Sequence, residues 1–194
     1  MTTPSSLRAR SQSRIRQAII DAAYDLFAEC DFDAVSVSEI AERAAVGRTT
    51  FFRYFGDKQE VLFADEGQVA ELLVAEASRV GTSPTSTPFH RARCALRAVS
   101  VHLVAGGERF ALRSRLVAEN QSLRDREERK LLWLSGVLAE ALKECGATTQ
   151  EARLSTEIAF GVFRAARYHG SIDSIDLVRR VDDSFEQTIR MFDP

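Results

Sequence analysis

A serine followed three residues later by a glutamate, Ser36 and Glu39, marks the start of a helix more firmly than anything else in this chain. The first helical turn leaves backbone N–H groups unpaired. The Ser hydroxyl can accept one, and the Glu carboxylate can reach back to the N–H of the serine. Val37, Ile40, Ala41 and Ala44 then recur at helical spacing and define an inward face. Ala45-Val46-Gly47 reads as a tight turn, and a second helix opens near Arg48 with Phe51 and Phe55 on its inner side. Its other faces carry Arg48, Thr49, Thr50, Arg53 and Tyr54. Two short helices joined by a turn, with hydroxyls, guanidinium groups and an aromatic on the second, suit the major groove of DNA. That groove admits one helix, and its floor is read by donors and apolar contacts. Ser36 and Ser38, at the front of the first helix, are candidates for phosphate contacts.

The same stretch carries a resemblance. SVSEIAERAAVGRTTFFRYFGDKQEVL is similar to the signature of TetR-family transcriptional regulators: a capped helix, then I-A-x-x-A-G-V-S, then x-x-T-[LF]-[FY]-x-[HY]-F, then a lysine and an apolar pair. The match runs from about Ile15 to Phe63. It implies that Arg48, Thr49, Thr50, Phe52, Arg53 and Tyr54 face DNA and that Lys58 contacts a phosphate. Phe52 stands where the family often has Tyr and keeps only the apolar contact to a thymine methyl. Two positions depart from the pattern. Ala45 replaces the usual Gly, at a cost of roughly 1 kcal/mol if left-handed. Gly47 replaces the usual Ser, so the second helix has no side-chain cap.

Apolar spacing extends the helical reading to the whole chain. Ile15, Ile19, Ala22, Ala23, Leu26 and Phe27 form one stripe on a first helix from about 11–14 to 28–30. Asp31 stands where the family usually places Gly, so the exit is expected to be either strained or built differently. The capping pair Asp57 and Glu60 opens a fourth helix expected to run unbroken to about Arg79. GTSPTSTP, at 81–88, is a linker. Helices are expected over about 89–105, 109–116, 122–145, 149–168 and 174–192. No strand-like alternation of any length appears. The fold class is therefore all-α with about nine helices. An N-terminal three-helix helix-turn-helix domain joins, through the long fourth helix, a C-terminal helical bundle. The expected organisation is a flexible basic arm at 1–10, a DNA-binding domain at 11–56 and a ligand-binding and dimerisation domain at 57–194.

Composition narrows the function classes. A net charge of −2 argues against a general polyanion binder, but Arg8, Arg10, Arg14 and Arg16 precede the first acid. No apolar run reaches the roughly 18 residues of a membrane span, and the basic, Ser-rich start lacks the apolar segment of a secretory signal. A cytoplasmic location and no membrane partner are expected. Cys30, Cys94 and Cys145 form no C-x-x-C pair, so reduced and mostly buried thiols are expected, with no metal. His90, His102 and His169 have no nucleophile or carboxylate at suggestive spacing, and no Gly-rich phosphate loop occurs. Neither an enzyme nor a cofactor is expected.

The resemblance further implies a homodimer on a palindromic double-stranded DNA operator and a C-terminal pocket for a small-molecule effector. Polar groups on otherwise apolar helices are the pocket candidates: Arg97, His102, Arg113, Asn120, Trp133 and Tyr168. The dimer candidates lie in the IAFGVFRAA segment (Ile158, Val162, Phe163) and on the narrow seam of the last helix (Val178, Val181, Phe185, Ile189). Arg129–Leu142, of the type R-x-L-L-W-L-x-x-V-L-A-E-A-L, also resembles an actinobacterial TetR subgroup with acyl-CoA-like ligands. The function expected is a ligand-responsive regulator, most simply a repressor. The alternative is a helical ligand-binding or interaction module without sequence-specific DNA binding.

Overall fold

The computed structural model describes residues 4–79, 86–168 and 176–192, those at 4–8, 168 and 192 by their backbone alone. Ten α-helices and no strand occur among them. They are α1 (Pro4–Glu29), α2 (Val37–Arg43), α3 (Arg48–Tyr54), α4 (Lys58–Leu62), α5 (Glu66–Arg79), α6 (Pro88–Ala105), α7 (Glu108–Glu119), α8 (Gln121–Glu144), α9 (Thr149–Tyr168) and α10 (Leu177–Phe192). The chain divides into two compact units, Met1–Ala64 and Asp65–Pro194.

In the first unit α1 packs against α2 and α4, and α2 against α3. Its core is Ile19, Ala23, Phe27, Phe32, Ile40, Phe51, Phe55, Val61 and Leu62. The stripe on α1 and the inner faces of α2 and α3 are thus as expected. The start of α1 is not: it is helical from Pro4, where an arm was expected. Pro is at ease there, because its φ is already helical and its missing N–H is one that no helical carbonyl would have paired. The exit of α1 takes the second of its two expected forms and is built differently. Ala45 is the one non-glycine residue with positive φ among those described, so Asp31 is not left-handed. Cys30 N–H still reaches Leu26, and a turn closed by Ala34 N–H on Asp31 takes the chain onward.

The expected fourth helix is two helices. Asp57 caps α4 by accepting from the Glu60 N–H at 2.8 Å, but Phe63 leaves helical geometry (φ −112°, ψ 24°). The reason is burial. Val61, Leu62 and Phe63 are all inside, and three consecutive residues, each about 100° on from the last, cannot share one face of a straight helix. A turn over 63–65 keeps all three covered.

The second unit builds its core from Leu73, Ala77, Ala95, Leu96, Val99, Leu138, Leu142, Phe160, Phe163, Val181 and Phe185, on α5, α6, α8, α9 and α10. α7 lies against α8. Residues 81–85 of the expected linker fall outside the described residues. Thr87 closes it by capping α6, accepting from the His90 N–H at 3.2 Å, with Pro88 at the first helical position. Arg91, buried beside this cap, donates to Ala77 O at 2.7 Å and ties α6 to α5. The irregular link expected at 118–121 shrinks to Asn120, which ends α7 and caps α8. The thiols differ from expectation: Cys30 is exposed, and Cys94 and Cys145 are half-buried. Among the described residues no helix is long and apolar enough to cross a membrane.

Candidate nucleic-acid interface

The capping box forms as the sequence requires. Ser36 Oγ accepts from Glu39 N–H at 3.2 Å, and Glu39 Oε2 accepts from Ser36 N–H at 2.8 Å. The Ser36 hydroxyl and then its backbone N–H hold the Glu39 carboxyl below the ordinary carboxylate range. The far end of α2 is fixed by a two-bond pair: Arg43 Nη1 and Nη2 donate to Glu29 Oε1 and Oε2 at 3.0 and 2.9 Å. Ala45 stands at φ 53°, the left-handed residue that lets Val46 N–H return to Ala41 O at 2.9 Å. Gly47 precedes α3 with no side-chain cap.

With α2 held at both ends, the turn fixes how α3 is presented. Phe51 is fully buried and packs on Phe55 at 5.9 Å between ring centroids. That anchors the inner face and leaves Arg48, Thr49, Phe52 and Arg53 exposed, with Thr50 and Tyr54 half-buried. Phe52 is 49% exposed although a large apolar side chain gains by burial. Its ring is steadied edge-on against Phe51 at 5.5 Å. The Arg53 guanidinium lies 5.3 Å from the Tyr54 ring centroid, which orients a planar donor on the open face. Ser36 and Ser38 are exposed at the front of α2. The Ser36 oxygen serves as the cap, and its hydroxyl also acts on the Glu39 carboxyl. Of the nine expected DNA-facing residues, Ser36, Ser38, Arg48, Thr49, Phe52 and Arg53 are thus exposed and Thr50 and Tyr54 half-buried, all in the first unit.

Lys58 is the ninth, and it is a correction. Its ammonium donates to the carbonyls of Phe32 (2.7 Å), Val35 (2.8 Å) and Asp33 (3.2 Å) and sits 4.6 Å from the Phe32 ring centroid. An ammonium has three donors, and all three serve the loop between α1 and α2. Lys58 is a clamp on that loop, not a free phosphate contact. Lys58→Met is expected to lower the stability of the first unit by about 2 kcal/mol, since bonds to a charged donor are the stronger kind. It should leave the salt dependence of DNA binding unchanged. Calorimetry and salt-series titrations check this, and unchanged stability with a shallower salt slope would restore the phosphate role.

Sequence reasoning also missed Arg16. Counted there among the basic residues of the N-terminus, it turns inward. It donates to Ala64 O and lies 5.4 Å from the Phe55 ring centroid. Its i, i+4 neighbour Ile20 and the apolar stripe on the same helix were the available signal.

The effector candidates are not brought together. Arg97 pairs with Asp182 of α10 through Nε at 2.9 Å. Arg113 donates to Asp65 at 3.2 Å and lies 3.7 Å from Glu127, which also accepts from Arg167 at 2.8 Å. Asn120 is occupied in capping, its Oδ1 accepting from Ser122 N–H at 3.2 Å. His102 is half-buried in the last turn of α6. Trp133, 48% exposed, lines an open surface groove of about 630 Å³ with Val74, Leu132, Val137, Glu140 and Glu144. The Tyr168 side chain lies outside the described residues. Arg97, Arg113 and Asn120 are thus structural, because each polar head finds a partner within the unit.

The dimer candidates divide. Phe163, Val181 and Phe185 are at most 1% exposed, and Val162 is also in the core of its own unit. They are corrected to core residues: α9 and α10 turn these side chains toward α6 and each other. Val178 is half-buried. Ile158 and Ile189 remain exposed, with Leu154 on α9 and Met191 on α10 beside them in sequence. Leu154, Ile158 and Ala165 fall at i, i+4 and i+11, an uncovered apolar line along α9.

Residues 19–64 match the family model of bacterial regulatory proteins of the TetR family. Over 92 residues the chain is 36% identical to the transcriptional repressor LfrR of Mycolicibacterium smegmatis, covering 47% of this chain and 46% of LfrR. SmeT, the repressor of the Stenotrophomonas maltophilia multidrug efflux pump SmeDEF, shares the fold with a TM-score of 0.58 at 19% identity, covering 91% of this chain and 89% of that one. FadR of Thermus thermophilus, a TetR-family repressor solved with lauroyl-CoA, does so with a TM-score of 0.57 at 21% identity, covering 88% and 91%. The chain spans less than half the length of the curated relatives it matches. These relatives are named as transcriptional regulators, not as enzymes. α2 and α3 lie inside the stretch that is similar to the TetR family, and the fold is shared along most of the chain with a solved TetR-family repressor.

Proposed function

We propose that this protein is a ligand-responsive transcriptional repressor, without enzymatic activity and cytoplasmic, that binds a palindromic operator as a homodimer. The observation that carries the reading is α3 itself: a helix locked by Phe51 and Phe55 whose open face is Arg48, Thr49, Phe52 and Arg53. A guanidinium can give two N–H groups to guanine O6 and N7, and Phe52 can meet a thymine methyl. The first unit reads DNA. The second binds the effector and dimerises, through the apolar line of α9 and the exposed end of α10. Twofold symmetry in the protein then matches twofold symmetry in the operator.

An apolar or acyl-CoA-like effector is the reading favoured for the second unit, supported by the fold it shares with a FadR solved with lauroyl-CoA. The chain enters that unit through α5, whose first turn is tied to α7 by Asp65 and Arg113 and to α8 by Glu66 and Lys130. An effector that rearranges these helices acts on the segment leading to the reader. The coupling expected is about 1–3 kcal/mol, a 5–150-fold loss of operator affinity.

The test is a gel-shift with DNA flanking the protein's own gene, with and without acyl-CoA thioesters. Arg53→Ala should weaken specific binding by about 1–3 kcal/mol and leave the melting temperature almost unchanged, since Arg53 is exposed. Equal loss of fold and of binding would make Arg53 structural. Absence of any salt-dependent binding would favour the module without DNA recognition.

A further inference from the structure

Residues 9–14 of α1 have no role in the core. All are exposed, yet the helix continues back to Pro4. This segment bears Arg10 and Arg14, four residues apart and therefore on one face. Neither has a partner among the described residues, and no acid precedes Asp21 in the sequence. Arg16, two residues on, marks where this segment lies. Its guanidinium rests against Phe55, the residue that ends α3. The basic part of α1 therefore starts beside the end of α3 that carries Arg53. A rise of about 1.5 Å per residue puts Arg14 roughly 3 Å and Arg10 roughly 9 Å further along the axis than Arg16.

We propose that Arg10 and Arg14 form a second DNA-contacting surface, a helical rail that grips backbone phosphates flanking the bases read by α3. The inference rests on the DNA-binding reading above and adds to it residues that the family pattern does not assign. The chemistry favours phosphates over bases. The two guanidinium groups stand on an exposed helix whose neighbouring Ser11, Gln12 and Ser13 add only neutral groups, so charge dominates this face, and duplex DNA offers a phosphate for every 1.7 Å or so of its axis. Charge is also placed where it counts. A chain of net charge −2 needs a local basic surface to approach DNA, and this one is uncompensated.

The test compares wild type with the double variant Arg10→Gln, Arg14→Gln on the flanking fragment that wild type binds, titrated by fluorescence anisotropy across a salt series. Each phosphate contact contributes about 0.9 to the slope of log K against log salt. The variant should show a slope shallower by about 1.8 per bound subunit, with the preference for operator over scrambled sequence unchanged. Trimming the duplex outside the half-sites should weaken wild type and not the variant. Arg10→Lys, Arg14→Lys should keep most of the slope. Matching circular dichroism and melting curves establish that the variant is folded. An unchanged slope, or an equal response of both proteins to trimming, overturns the rail while leaving the regulator reading intact. Loss of sequence preference would overturn it in favour of base contacts. If wild type itself shows no salt-dependent preference, the regulator reading has failed.

Discussion

Replacing Phe163 by alanine is expected to lower the unfolding free energy by about 3–5 kcal/mol, the range for emptying a buried aromatic site. In a domain of this size that is a fall of roughly 10 °C in melting temperature. The side chain is 1% exposed and meets Phe160 edge-on, 6.5 Å between centroids, with the Arg167 guanidinium 5.7 Å from its ring. The decrement should be the same at every protein concentration, because the lost contacts lie within one chain. A decrement that grows on dilution would put Phe163 between subunits instead. Calorimetry over a concentration series decides this.

Ile158→Asp should have the opposite character. Ile158 and Leu154 are 36% and 60% exposed on α9, so a carboxylate there costs a single chain little. Buried against a second copy without a partner, it costs several kcal/mol. The variant is expected to stay helical and to elute as a monomer. Operator affinity should fall by about 10²–10⁴, because linking two readers makes the second contact intramolecular and separation forfeits that gain. Light scattering and operator titration measure both. A variant that remains dimeric would place the contact elsewhere, with the exposed end of α10 next in line.

The contrast between these neighbouring residues shows where sequence reading stopped. Phe163 and Ile158 belong to the same apolar segment, and periodicity marked both as covered. What covers each depends on which way α9 turns relative to α6 and α10. Val181 and Phe185 share this history: their three- and four-residue spacing names a seam without saying whose helix fills it. Polar residues were harder still. Arg97, Arg113 and Asn120 looked conspicuous on apolar helices, but Asp182, Asp65, Glu127 and Ser122 satisfy them. Asp182 and Asp65 lie 85 and 48 residues from the arginines they satisfy.

What the sequence by itself determined is local. The Ser36 and Glu39 box, the left-handed Ala45, the uncapped Gly47 and the inner faces of α1 to α3 all follow from bonds within a few residues and from the 3.6-residue period. The exposed face of α3 follows too, since it is what the buried face leaves. The tertiary structure alone decided the break between α4 and α5, the use of Lys58 as a clamp on carbonyls 23 to 26 residues away, the inward turn of Arg16, and the division of the apolar segments into core and open face. The physical reason is common to all four. A long cation or an apolar face has no preferred partner in its own stretch of chain, so its role is set only when packing brings a carbonyl, a ring or another helix within reach.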